Sequence, residues 1–409
     1  MSASVVVEKD HEAVSAIVAA IAGASLVAFD LEFLAQDRLV PTLCLVQVAW
    51  CEKWEHGMSD APPAGIDAPS VRLIDPLAVD VAPVVRALAA HPCVIAHAPR
   101  QDLALLAARF GVAMPSVIDT QLMAAFAGIG DQIGFAALAN ELLGLALGKE
   151  QQWTDWAARP LSAAQLAYAA ADVRHLPAIY AKLAARLGER LAWARAESAL
   201  VAAEAEAAAA VTPETAWRQV AGLRGLDAAS LAAVVALAAW RQRVCIELDR
   251  PLGQVVNDKL LVELARQRPA TATAVRAVKG MTGLGRQRAD DIIAAIAAAR
   301  PGEVTTIAAA RPPSPRAQRW SELLLAIVQL VADDLKLAPR LLATRSDAEE
   351  LARAVDERGL AACDHLPAMT GWRRAVLGDP WRHWLTGSLV LVGDLRAPQG
   401  IRLIAPARQ

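Results

Sequence analysis

Cysteine is scarce in this 409-residue chain: Cys44, Cys51, Cys93, Cys245 and Cys363 are the only five, and no two form a C-x-x-C pair. That argues against a structural zinc site and a disulfide framework, and leaves reduced thiols in a cytoplasmic protein as the expectation. Aromatic residues are also few, with only two tyrosines. Long uncharged stretches are nearly lacking. Residues 13–29 form one, but Glu8, Lys9, Asp10 and Glu12 precede it instead of a basic segment, and Gly23-Ala24-Ser25 interrupts it. It reads as a helix followed by a strand, so neither a signal peptide nor a membrane partner is expected. Phosphate-binding loops are missing too. Gly144-Leu-Ala-Leu-Gly148-Lys149-Glu150 has one residue too few between its glycines and ends in Glu where a hydroxyl is needed.

Hydrophobic residues make up 55% of the chain, enough for several cores, and much of that share is helix-favouring alanine. The net charge of −2 conceals an asymmetry. Residues 1–200 carry 14 Lys+Arg against 21 Asp+Glu, whereas residues 213–300 carry 13 against 8 and residues 301–409 carry 14 against 12. An acidic region joined to a basic one suits cation binding in the first and polyanion binding in the second.

Two joints divide the chain. The alanine-rich stretch 201–211 before Thr212-Pro213 reads as the end of a long helix, and residues 308–317, with Arg311-Pro312-Pro313-Ser314-Pro315, read as a stiff linker. The expected domains are 1–200, 213–300 and 317–409. In the first, strand-like segments at 26–31, 42–50, 71–74 and 93–96 interleave with helical patterns at 11–22, 80–90, 102–110, 119–127 and 162–186, implying an α/β fold with a mixed sheet covered by helices. Residues 51–70 read as an exposed loop. The later regions are helical throughout, except that 388–393 has strand character.

Three places carry acidic chemistry. In Phe29-Asp30-Leu31-Glu32-Phe33, the two carboxylates stand two apart on a strand and share a face. Side by side they repel unless a cation lies between them, and oxygen ligands suit Mg²⁺ or Mn²⁺; a solvated strand end is the plainer alternative. Asp102 follows the strand-like Cys93-Val94-Ile95-Ala96-His97 and sits near a helix start, where simple capping also accounts for it. Ser162 and Gln165 form a capping box, and in the helix they open, Tyr168 and Asp172 lie one turn apart on one face. An aromatic core contact is the other reading of Tyr168.

Taken together, Phe29-Asp30-Leu31-Glu32, His97 followed five residues later by Asp102, and Tyr168-Ala-Ala-Ala-Asp172-Val173 resemble the three motifs of the four-carboxylate (DEDD) nucleases, in the tyrosine subclass. Pro41-Thr42-Leu43-Cys44-Leu45-Val46-Gln47, Val117-Ile118-Asp119-Thr120-Gln121, Asp155-Trp156 and Arg159-Pro160-Leu161-Ser162 extend the resemblance toward the ribonuclease D family. The likeness spans most of residues 20–185. The resemblance implies a ribonuclease H-like fold and two-metal hydrolysis of RNA from its 3′ end, with transfer RNA precursors as the expected substrate and nucleoside 5′-monophosphates as products. It places Asp30, Glu32, Asp102 and Asp172 as ligands of two Mg²⁺ or Mn²⁺ ions and Tyr168 beside the attacking water. A histidine-type member would carry histidine five residues before the last aspartate, where this chain has Ala167. Arg38 and Leu39 depart from the pattern, standing where many relatives have Thr and Tyr. Phe33 and His97 are further candidates for substrate contact.

Residues 213–300 resemble an HRDC domain through Leu223-Arg-Gly-Leu226, Trp240-Arg-Gln-Arg243, Asp249-Arg-Pro-Leu252, Asn257-Asp-Lys-Leu-Leu261 and Lys279-Gly-Met-Thr-Gly-Leu-Gly285; residues 317–376 resemble a second, divergent copy. The glycine-rich turn is either a phosphate cradle or a plain turn between helices. Arg241, Arg243, Lys279, Arg286 and Arg288 are the candidates for RNA backbone contact. No protein partner is indicated. A DNA exonuclease and a non-catalytic nucleic-acid binder remain the alternatives.

Overall fold

The computed structural model describes residues 7–406 except 36, 53–68, 149–150, 152–153, 224, 282 and 301–312. Most of the expected 51–70 loop and the first half of the 308–317 linker therefore lie outside the described residues. The chain divides into two compact units, residues 1–122 with 134–309, and residues 123–133 with 310–409.

The first unit opens with β1 (Val7–Glu8), α1 (His11–Gly23), β2 (Leu26–Leu34), β3 (Thr42–Cys51), β4 (Ser70–Ile74), α2 (Ala82–Ala90), β5 (Val94–Ala96), α3 (Arg100–Phe110) and β6 (Val117–Asp119). After α4 (Thr120–Phe126), which runs into the second unit, come α5 (Phe135–Leu143), α6 (Ala163–Arg174), α7 (Leu176–Leu187) and α8 (Arg190–Ala209). The sheet order is β1-β4-β3-β2-β5-β6, antiparallel at β4/β3/β2 and parallel elsewhere. This is the expected mixed sheet. The uncharged segment 13–29 does split at Gly23 into α1 and the start of β2.

Alternation decides what each face does. Phe29 and Leu31 of β2, with Val46 and Val48 of β3, point into the main core beneath α1, α2 and α3. Asp30 and Glu32 point to the opposite face, where Leu45, Leu73, Trp156 and Ala169 pack and α6 lies across β2, β3 and β4. A register shift between Glu32 and Phe33 marks a bulge immediately after the second carboxylate; such bulges re-aim the strand's side chains.

The single helix expected over 162–186 is two. His175 closes α6 and also precedes α7, which has Pro177 in its first turn. Proline has no N–H to donate to the preceding turn, and tolerates only this position. Two strands escaped the sequence reading: β1 and β6 have two and three residues, too short to show alternation. The loop-like decoy has a structural role instead, since Gly144 at φ 69° ends α5 in the left-handed region.

The unit continues as a helical bundle: α9 (Ala228–Leu248), α10 (Leu252–Val255), α11 (Asp258–Gln267), α12 (Ala272–Ala277), α13 (Gly283–Gln287) and α14 (Ala289–Ala298). By length and composition α9 is apolar enough to cross a bilayer, but 67% of that apolar window is buried in the bundle, where Leu237, Leu261 and Ile292 have no exposed surface. Arg38 and Leu39 dock here: Arg38 Nε and the Leu39 N–H both donate to Asp249, and Leu39 packs on the bundle core. These two residues thus join the mixed sheet to the bundle.

The second unit centres on α15 (Pro315–Leu335), α16 (Pro339–Leu342) and α17 (Arg345–Arg358). Trp381 is fully buried and donates its indole N–H to Leu324 O at 3.0 Å. Phe126 meets Trp372 edge-on, and Arg340 pairs with Asp131. The strand-like segment at 388–393 becomes β7 (Val390–Gly393), paired antiparallel with β8 (Ile401–Ile404).

Candidate active site

Asp30, Glu32 and Asp172 offer carboxylate oxygens that all lie within 4.8 Å of one another. Two come from the outward face of β2, and the third arrives because α6 crosses that face. The Ser162–Gln165 capping box forms as expected and fixes where α6 starts, hence where Asp172 falls. Asp102 occupies the first turn of α3, is 8% exposed, and lines the same cavity, though it stands outside the tight cluster of three. The cavity measures about 650 Å³, and Tyr168, His97 and Phe33 also line it.

The electrostatics are those of carboxyl groups crowded together and buried. Burial first, then the neighbouring carboxylates Asp30, Asp172 and Asp102, push Glu32 up to about 10. Burial raises Asp172 to about 7, against which the Tyr168 hydroxyl donates a hydrogen bond. Asp30 and Asp102 are both raised, by burial and then by charge from Asp172 and Asp30 respectively. Burial and the same carboxylates raise Tyr168, so it remains a neutral phenol that donates to Asp172. Hard oxygen donors at this spacing, each destabilised by its neighbours, fit a divalent cation of the Mg²⁺ or Mn²⁺ type.

Supporting residues emerge that the motifs did not single out. Asp119, at the end of β6, accepts the N–H groups of Ala98 and Gln121 at 2.9 and 2.7 Å. Thr120 donates to Ala96 O and, through the same oxygen, meets His97 Nδ1 at 3.0 Å. These contacts hold the turn that launches α3. Arg159 spans two oxygens of buried Asp75 at 2.7 Å each and donates to Cys44 O at 2.7 Å, tying the segment before α6 to β3 and β4. The family-like segments at 117–121 and 159–162 signalled both, without disclosing what they brace.

The basic candidates in the bundle divide. Arg243, Lys279 and Arg286 are exposed. Arg241 is not available to RNA. It is 2% exposed, and its guanidinium donates to Val256 O and Asp258 at 2.8 Å inside the bundle. Arg288 pairs with Glu247 at 2.8 Å and with Asp291 at 3.5 Å. The glycine-rich turn serves packing: a Cβ on Gly285 would meet Met281 Sδ at 2.9 Å and Val255 O at 3.2 Å. Gly285 belongs to the five-residue α13, a short turn packed between longer helices.

A mixed sheet with four carboxylates and a tyrosine around one cavity fits a metal-dependent phosphodiester hydrolase. A 3′–5′ exonuclease family model matches residues 5–188, and an HRDC domain model matches residues 230–299. Ribonuclease D of Acidiphilium cryptum is 35% identical over 379 residues, covering 90% of each chain. That of Gluconacetobacter diazotrophicus is 34% identical over 371 residues, covering 86% of each. In structure, Escherichia coli RNase D, described as an exoribonuclease involved in structured RNA processing, aligns with a TM-score of 0.77 at 26% identity, covering 94% of this chain and 99% of its own. The chain belongs to the ribonuclease D family and is a hydrolytic 3′→5′ exoribonuclease.

Proposed function

We infer that Asp30, Glu32, Asp102 and Asp172 together hold two divalent ions, Mg²⁺ or Mn²⁺, and that the enzyme trims the 3′ ends of structured RNA such as transfer RNA precursors. The observation that carries the metal reading is the convergence of Asp30, Glu32 and Asp172 oxygens within 4.8 Å. Divalent ions bound there supply Lewis acidity toward the scissile phosphate and a water that loses its proton near neutral pH.

The chain's own residues do the rest. Four carboxylates offset most of the charge of two such ions, leaving a site that still admits a phosphodiester. Tyr168 stays protonated and anchored on Asp172, so its oxygen orients the incoming water as an acceptor. Phe33 and His97 line the cavity wall and bracket the terminal nucleotide. Water adds to phosphorus, the bond to the 3′ oxygen of the preceding nucleotide breaks, and that oxygen takes a proton. The products are a nucleoside 5′-monophosphate and an RNA shortened by one residue. Exposed Arg243, Lys279 and Arg286 contact the RNA backbone at a distance from the chemistry. A cytoplasmic setting accords with a chain poor in cysteine and without a C-x-x-C pair.

The test is hydrolysis of matched RNA and DNA oligomers, and of a transfer RNA with 3′ extension, by wild type and Asp30→Asn. Wild type should release 5′-monophosphates from RNA, and the variant should lose at least about 10²-fold in rate, more than outer-sphere changes usually cost. An Asp30→Asn protein as fast as wild type would sink the site assignment. Faster cleavage of DNA than RNA would move the natural substrate to DNA.

A further inference from the structure

Gln47 sits wholly buried in the middle of β3, and neither its amide nitrogen nor its amide oxygen has a hydrogen-bond partner. A primary amide brings two donors and an acceptor into the core. Leaving them unsatisfied destabilises the fold, and native proteins rarely tolerate it without a reason. A methionine or leucine would fill much the same space without that penalty.

Register says what the amide faces. Gln47 is directly opposite Asp30 on β2 and opposite Leu73 on β4. Opposed residues in an antiparallel pair share a face, with Cβ atoms about 4.5–5.5 Å apart. Gln47 therefore stands on the carboxylate face, beneath α6, in the layer that holds Leu45, Leu73 and Ala169. Across this pair Gln47 shares its face with Asp30, whose carboxylate accepts the backbone N–H of Leu31.

We propose that Gln47 is a positioning residue: its Nε2–H donates to the Asp30 carboxylate when that carboxylate holds a divalent ion, and so turns the other oxygen toward the ion. Hydrogen bonds from beyond the ligand sphere commonly orient a ligating group in this way. The proposal rests on reading the acidic cluster as a metal site.

The experiment titrates Mn²⁺ into full-length wild type and Gln47→Met by calorimetry, alongside melting of the metal-free proteins and hydrolysis of a short oligoribonucleotide. Gln47→Met should bind Mn²⁺ about tenfold more weakly, lose a similar factor in kcat with KM unchanged, and melt higher than wild type when metal-free. Wild-type Mn²⁺ affinity in Gln47→Met overturns the proposal and leaves Gln47 a core residue. Absence of Mn²⁺ binding in the wild type would instead overturn the metal-site reading itself. Should Gln47→Met fail to fold, the wild-type Gln47 side-chain amide signal, assigned by its loss in Gln47→Leu, is followed by nuclear magnetic resonance as Mg²⁺ is added. A shift at the Mg²⁺ concentration that activates the enzyme supports the bond; no shift overturns it.

Discussion

The carboxylate of Asp119 accepts the backbone N–H of Ala98 at 2.9 Å, bridging β6 to the turn after β5. Ala98 has φ 52°, a left-handed conformation that a non-glycine residue adopts only when its surroundings hold it. Asp102 follows one helical turn later. Asp119→Ala frees this turn and leaves the Ala98 and Gln121 amides without their acceptor. We expect a loss of about 1–3 kcal/mol in stability and weaker Mn²⁺ binding, read by denaturant titration and calorimetry. Unchanged metal affinity would show that the turn does not govern Asp102.

Tyr168 donates to Asp172 one helical turn away. Removing the hydroxyl leaves the ring, which packs 6.1 Å from Trp156 between centroids. Tyr168→Phe should therefore fold and bind RNA as wild type does, while kcat falls by about 10²-fold, the lower end of what a positioned proton-transfer or orienting group contributes. Single-turnover hydrolysis with RNA affinity measured in parallel separates the two effects.

The carboxylate cluster makes the metal-free protein pH-sensitive. Folding raises Asp172 from 3.8 to about 7 and Glu32 from 4.5 to about 10. Between those limits the folded state binds more protons than the unfolded one, so stability falls as pH rises. In chelator, the melting temperature should decline from pH 5 toward pH 9. Saturating Mg²⁺ should flatten the profile, because the ion replaces the protons. A chelated profile that rises over this range would contradict the clustering.

Arg159 forks onto both oxygens of Asp75 and is part-buried. Burial pulls the Asp75 carboxyl up, but the guanidinium beside it wins and holds it below the usual range. Lysine cannot reproduce the planar fork. Arg159→Lys should cost about 1.5–3 kcal/mol, the range for hydrogen bonds to charged groups, measured by urea unfolding.

Two arginines of α9, two residues apart, should behave oppositely. Arg241→Ala takes a donor from the Val256 carbonyl and from Asp258, which keeps the Ala221 N–H, and should destabilise the bundle. Arg243 is exposed, so Arg243→Ala should leave melting unchanged and reduce the slope of log affinity against log salt by about 1. Filter binding of RNA at several salt concentrations, beside thermal melts, distinguishes them.

Much of the site was legible because it is local. Strand alternation put Asp30 and Glu32 on one face, helical spacing put Tyr168 above Asp172, and Ser162 with Gln165 marked where their helix begins. These are properties of consecutive residues, and the backbone period alone determines them. What only the tertiary structure decided is nonlocal. That α6 lies across the outward face of β2, that Asp102 stands beside the tight cluster but outside it, and that Asp119 supports the turn before α3 depend on packing between segments far apart in the chain. Arg241 and Arg243 make the same point in two residues. Composition treats them alike, and only the packing of α9 against α11 buries one and exposes the other.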